Sequence, residues 1–137
     1  MINTITQGNC LDLIKTIPDN FVDLICTDPP YLINYKTNHR KDKSHDFCSE
    51  IANDAPSDVS LFEQLLPEYY RVLKDNTALY LFTSSKTIDI FKPLVEKAGF
   101  NIKNLIIWVK NNWTAGDLKN QYGQQYEIII YANKGLC

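Results

Sequence analysis

The chain has 137 residues, 45% hydrophobic and 22% charged, with a formal net charge of −2. That composition suits one modest globular domain with one core and makes disorder not the default. It carries no bulk positive charge announcing a nucleic-acid partner, and no apolar run of membrane-spanning length or signal-peptide character, so a cytoplasmic protein with no membrane partner is expected.

Read from the N-terminus, "INTIT" alternates apolar and polar residues and predicts a short first strand that Gly8 breaks. Asn9 is placed to cap a short helix in which Cys10, Leu13, Ile14 and Ile17 share a face. Pro18-Asp19-Asn20 signals a turn. "FVDLICT" then predicts a central strand of a parallel sheet. Between Leu32 and Asp58 periodicity vanishes, and "KTNHRKDKSHD" predicts a long loop.

Helical spacing returns with Phe62, Leu65, Leu66, Tyr69, Tyr70 and Leu73. Pro67 predicts a kink or a split, and Lys74-Asp75-Asn76 a close. "TALYLFT" predicts a strand. Ser84 or Ser85 is placed to cap a helix with Ile88, Phe91, Leu94, Val95 and Ala98 facing inward, and Gly99 just beyond its end. Pro93 raises a second kink. "NIKNLIIWVK" and "QYEIIIYANK" predict two strands joined by "NNWTAGDLKNQYG", and with no helix between them they are expected to pair antiparallel. The whole predicts an α/β fold, 1–137, partial and Rossmann-like, with a mainly parallel sheet and a C-terminal antiparallel pair.

The chemistry concentrates where the second predicted strand ends, at Asp28-Pro29-Pro30-Tyr31. Ligands of open parallel sheets bind beyond the carboxyl ends of the strands. Asp28 offers a carboxylate acceptor there. Pro29 and Pro30 lack N–H groups and stiffen the backbone, leaving the Pro29 carbonyl as a fixed acceptor, and Tyr31 offers a flat ring for stacking. Two acceptors beside an aromatic face suit an exocyclic amine on a planar heterocycle. Accepting both of its protons localises the nitrogen lone pair for attack on an electrophilic methyl. The alternative is a plain Asp-Pro-Pro turn with Tyr31 on the rim.

Together, "GNCLDLIKTIPDNFVDLICTDPPY", "NDAPSDVSLFEQLLPEYYRVLK", "ALYLFTSS", "IIWVKNNW" and "YEIIIYANKG" resemble the DNA amino-methyltransferases. These methylate adenine N6 or cytosine N4 using S-adenosylmethionine. The resemblance covers nearly the whole chain. It implies that Asp28 and the Pro29 carbonyl bind the target amine, that Pro30 shapes the motif, and that Tyr31 stacks on a base flipped from double-stranded DNA. Asp at the first motif position resembles the adenine enzymes, including those of restriction-modification systems.

Only 27 residues precede Asp28, an order similar to the permuted group, whose glycine-rich cofactor loop follows the catalytic motif. None of the five glycines forms a Gly-x-Gly turn. The chain is therefore expected to be the catalytic-motif half of such an enzyme, without the cofactor loop and target-recognition region, and inactive alone. Self-association through an uncovered sheet edge is expected with it. A DNA-binding or assembly fragment without catalysis, or methylation of RNA or a protein amide, are the other readings.

Remaining candidates are weaker. Where the family has Gly-Asp the chain has Gly8-Asn9, so Asn9 and Cys10 stand as cofactor contacts beside Asp28, or Asn9 simply as a helix cap. Lys36, His39, Arg40 and Lys41 are either a solvated face or phosphate contacts. Trp113, read in a loop, is a candidate wall of the base pocket, and Trp108 is expected in the core. His39, His45 and Cys48 lack the spacing of a zinc site, so no metal is expected. The four cysteines read as reduced thiols. Glu127 matches a family position without an assignable role.

Overall fold

The computed structural model describes residues 3–35, 51–114 and 122–135. Within them lie helix α1 (Cys10–Ile14), strand β1 (Val22–Thr27), helix α2 (Val59–Val72), strand β2 (Leu73–Thr83), helix α3 (Ile88–Lys97), and strands β3 (Asn101–Thr114) and β4 (Gln124–Asn133), with a single 3-10 turn, Pro56–Asp58, leading into α2.

The sheet order is β1-β2-β4-β3. β1 and β2 are parallel, β4 is antiparallel to β2, and β3 is antiparallel to β4. Hence β1, β2 and β3 run one way and only β4 is reversed, inserted between β2 and β3. The mainly parallel sheet holds only in part, by strand direction and not by pairing, while the C-terminal antiparallel pair holds by contact. The only parallel ladder among the described residues is β1–β2, because β4 fills the place beside β2. β1, expected to be central, is an edge strand among them.

Alternation sets what packs where. Leu79 and Leu81 of β2, with Ile130 and Ala132 of β4, point to one face and are fully buried. Against them lie Phe62 and Leu66 from α2 and Phe91 and Val95 from α3, one contiguous core joined by Leu32 from the segment after β1. The Phe62 and Phe91 rings meet edge to face at 4.9 Å, the arrangement their quadrupoles favour.

The opposite face is aromatic and lacks a helical cover among the described residues. Tyr80 stacks on Tyr131 and Phe82 meets Trp108 edge-on. Leu24, Ile106 and Trp108 are exposed there. Trp108 is thus not a core residue: its register opposite Glu127 turns it to this open face, where it is 49% exposed.

Local chemistry explains several departures. "INTIT" forms no strand over its described part, residues 3–6, and Ile5 is fully exposed, because alternation alone supplies no neighbouring strand. Neither Pro67 nor Pro93 splits its helix. Lys74-Asp75-Asn76 does not separate helix from strand: β2 starts at Leu73, and the positive φ of Asn76 falls where the β1–β2 register shifts. Neither Ser84 nor Ser85 caps α3. Thr87 is its N-cap residue, and Ser84 accepts from the Lys86 amide instead. β3 extends through Trp113, which is in a strand and not in a loop.

As expected, Asn9 caps α1, its side-chain oxygen accepting from the Leu11 amide at 2.9 Å, and Gly99 follows α3 with φ +103°. Cys10 and Cys26 are free thiols, while Cys48 and Cys137 lie outside the described residues.

Candidate active site

Strand direction brings the site together. The carboxyl ends of β1, β2 and β3 and the amino end of the reversed β4 meet at one edge of the sheet. There Asp28, Pro29, Pro30 and Tyr31 line an open cleft of about 270 Å³, and Glu127 of β4 and Asp54 complete it with Ile33, Tyr35 and Ile51. Three of the four motif residues are at least partly buried, whereas Asp28 is exposed to the cleft.

The Tyr31 hydroxyl donates to Asp28 Oδ1 at 2.7 Å and lies 3.3 Å from Glu127 Oε2. Burial, followed by the adjoining carboxylates of Asp28 and Glu127, pushes this phenol far above its ordinary range, so it remains a protonated donor. Lys110 Nζ forms a close ion pair with Glu127 Oε1 and lies over the Trp108 ring. A chain of contacts therefore runs from a cation through two carboxylates bridged by one phenol.

The segment carrying Tyr31 is held by its neighbours in an uncommon backbone shape. Leu32 and Asn34 both have positive φ, +61° and +55°, a region in which a non-glycine residue costs about 1–3 kcal/mol. Leu32 offsets this by burying its side chain in the core. Asp54, 2% exposed, supplies the rest: its carboxylate accepts from the Ile33 amide at 3.4 Å and the Tyr35 amide at 2.6 Å, and its carbonyl accepts from the Asn34 amide at 2.7 Å. Three successive N–H groups are satisfied by one residue twenty positions away.

Asn9 and Cys10 do not line the cleft. Asn9 engages its side chain in the α1 cap, and Cys10 lies near Tyr69, whose hydroxyl interacts with Thr27, the residue before Asp28. Lys36, His39, Arg40 and Lys41 lie outside the described residues, as do His45 and Cys48. Trp113 is described in its backbone only, near the end of β3. Among the described residues, no cluster of three metal-ligating side chains occurs and no helix is long and apolar enough to cross a membrane.

Asp54 and Lys110 are site residues that sequence reasoning missed. Asp54 looks like any acid of a polar loop. Glu127 carried a better signal, an acid at the mouth of the apolar strand "EIIIYA", though nothing local tied it to Tyr31.

Residues 22–136 match a family model described as DNA methylase, N6_N4_Mtase. The type II methyltransferase M.HinfI of Haemophilus influenzae is 27% identical over 138 residues, covering 97% of this chain and 38% of the relative. The DNA adenine methyltransferase YhdJ of Escherichia coli is 32% identical over 127 residues, covering 93% and 40%. The solved structure of TTHA0409 from Thermus thermophilus, complexed with S-adenosyl-L-methionine, superposes with a TM-score of 0.65 at 19% identity, covering 95% of this chain and 52% of that one. The likeness to that structure bears on the fold, and the chain spans about two fifths of the length of these curated relatives.

Proposed function

The chain belongs to the DNA methylase family, the DNA amino-methyltransferases, and on that premise we propose that its cleft receives the exocyclic amine of a base flipped from double-stranded DNA for methylation by S-adenosylmethionine. Adenine N6 is the favoured target. One observation supports the reading: Asp28 lines the cleft, and its Oδ1 accepts a hydrogen bond from within it.

Asp28 and the Pro29 carbonyl are the two acceptors of this proposal. Pro30 fixes the turn, and Tyr31 provides the stacking ring. Drawing both N–H protons toward acceptors returns the nitrogen lone pair from the ring and aims it out of the base plane. The Asp28 carboxylate then stabilises the positive charge that grows on nitrogen as it is alkylated.

When bound, S-adenosylmethionine supplies the electrophilic methyl. Asp28, the proposed amine acceptor, is an exposed carboxylate lining the cleft, and its charge would also favour the donor's positive end. For the rest of the donor the residues here offer less: the sequence has no Gly-x-Gly turn, and Asn9 is committed to its cap. The chain is accordingly assigned as the amine-binding part of a methyltransferase domain, with Lys36, His39, Arg40, Lys41 and Trp113 kept as candidate DNA contacts.

Methyl transfer from labelled S-adenosylmethionine to unmethylated DNA, by protein carrying this chain, tests the reading. N6-methyladenine in the digested DNA, lost with Asp28→Ala, is expected. Equal incorporation by both proteins overturns the role of Asp28, and N4-methylcytosine overturns the choice of base.

The open sheet face favours a second reading, assembly of the chain with another copy. Ile106, Trp108 and Leu24 are exposed on one face, and β3 is an edge strand among the described residues, features that promote association.

A further inference from the structure

The Tyr31 hydroxyl occupies one of the acceptor sites that Asp28 offers the proposed amine. It has one proton, which it gives to Asp28 Oδ1 at 2.7 Å. An amine that takes the same lone pair of Asp28 Oδ1 displaces it, and a part-buried hydroxyl left without an acceptor costs about 1–3 kcal/mol. Glu127 Oε2 lies 3.3 Å from the same hydroxyl oxygen, and rotation about the phenol C–O bond turns the proton from one carboxylate to the other. At 3.3 Å against 2.7 Å, Glu127 is the weaker of the two acceptors in the ground state.

Glu127 is also held in place for the task. Lys110 binds its other oxygen, Oε1, and both side chains are largely shielded from solvent. The ion pair offsets the repulsion that an unpaired carboxylate would exert on Asp28 through the shared phenol. β4 carries Glu127 into the cleft because this strand is reversed and presents its amino end where β1 presents its carboxyl end.

Resting on the amine-pocket reading above, we propose that Glu127, fixed by Lys110, is a positioning residue that takes over the hydrogen bond of the Tyr31 hydroxyl when an amine occupies Asp28. Tyr31 thus latches the empty pocket and Glu127 releases the latch. No covalent bond to hydrogen breaks: the phenol keeps its proton and exchanges acceptors. In this role Glu127 lines the cleft but acts on the amine through the Tyr31 hydroxyl.

The first arm of the test needs no ligand. In protein labelled with 13C at tyrosine Cζ, the Tyr31 signal is identified by its loss in Tyr31→Phe. Glu127→Gln alone should leave it almost unmoved. Asp28→Ala should shift it, and adding Glu127→Gln to Asp28→Ala should shift it again. A signal in Asp28→Ala that ignores Glu127 overturns the hand-off.

The second arm titrates 2′-deoxyadenosine against purine 2′-deoxyriboside, which lacks the 6-amino group. The preference for the amine should fall about tenfold in Glu127→Gln, the worth of roughly one hydrogen bond to a charged group, and be unchanged by Glu127→Gln in the Tyr31→Phe background, whose ring still stacks. Lys110→Met should show the same dependence on the Tyr31 hydroxyl. Additive losses in the double variant overturn the proposal, because a structural role of Glu127 would persist without the hydroxyl. A hand-off seen in the spectrum, with no amine preference in the unaltered protein, overturns the amine pocket and leaves the hand-off standing.

Discussion

Removing the Asp54 carboxylate tests how the motif is held. In Asp54→Ala the amides of Ile33 and Tyr35 lose their acceptor. The 2.6 Å contact to Tyr35 is a strong charge-assisted bond, and the 3.4 Å contact to Ile33 is near the limit of a useful one. Bonds to charged groups contribute about 1.5–3 kcal/mol each, so the strong one and part of the weak one sum to about 2–4 kcal/mol. The loss falls on a segment already strained by positive φ at Leu32 and Asn34, so it should appear as local opening before global unfolding. At about 1.4 kcal/mol per factor of ten, amide exchange at Tyr35 should accelerate roughly 30-fold or more, with amides of β2 and β4 changing far less. Asp54→Asn, keeping one carbonyl acceptor, should fall between. Unchanged exchange at Ile33 and Tyr35 in Asp54→Ala would refute the idea that this carboxylate shapes the cleft wall.

Further outcomes follow from the same contacts. Alkaline pH should destabilise the fold. The phenols of Tyr31 and Tyr69 are both raised in the folded chain, so above pH of about 10 the unfolded chain releases protons that the folded chain keeps, and stability falls as pH rises. Denaturation midpoints from pH 8 to 11 should show this decline, reduced in Tyr31→Phe, and a flat profile would contradict it. Gly99→Ala should cost at least about 1 kcal/mol, because φ is +103° and a new Cβ would lie 3.2 Å from the Tyr70 ring; urea titration reads it. Arg71→Ala should speed amide exchange in α1 and its following turn, since Arg71 bonds the carbonyls of Ile14 and Ile17 together with Asp19. Light scattering should show self-association relieved by Ile106→Lys with Trp108→Lys, and a monomer before substitution would remove the assembly reading.

Much of this fold could be read from pattern because its elements are periodic. The helical spacing of Phe62, Leu66 and Tyr69 and the apolar runs around Leu79 and Ile130 each mark a buried face, and burial follows. What stayed hidden depends on neighbours distant in sequence. "INTIT" has a strand's alternation and no partner. Trp108 has a core residue's chemistry and a register that turns it outward. The site divides in the same way. Asp28 to Tyr31 is contiguous, and its residue types state their chemistry, so the motif was legible. Asp54 and the Lys110–Glu127 pair reach Tyr31 and its segment only through chain reversal and sheet order, and no local spacing encodes that.

In the proposed site, Asp28 accepts the amino group of a base. This is tested most directly by comparing the binding of 2′-deoxyadenosine and purine 2′-deoxyriboside to the unaltered protein and to Asp28→Ala, following the Tyr31 ring by NMR. The unaltered protein should prefer the amine by about tenfold or more, as expected for a hydrogen bond to a carboxylate, and Asp28→Ala should abolish the preference. An equal preference in both proteins would contradict it.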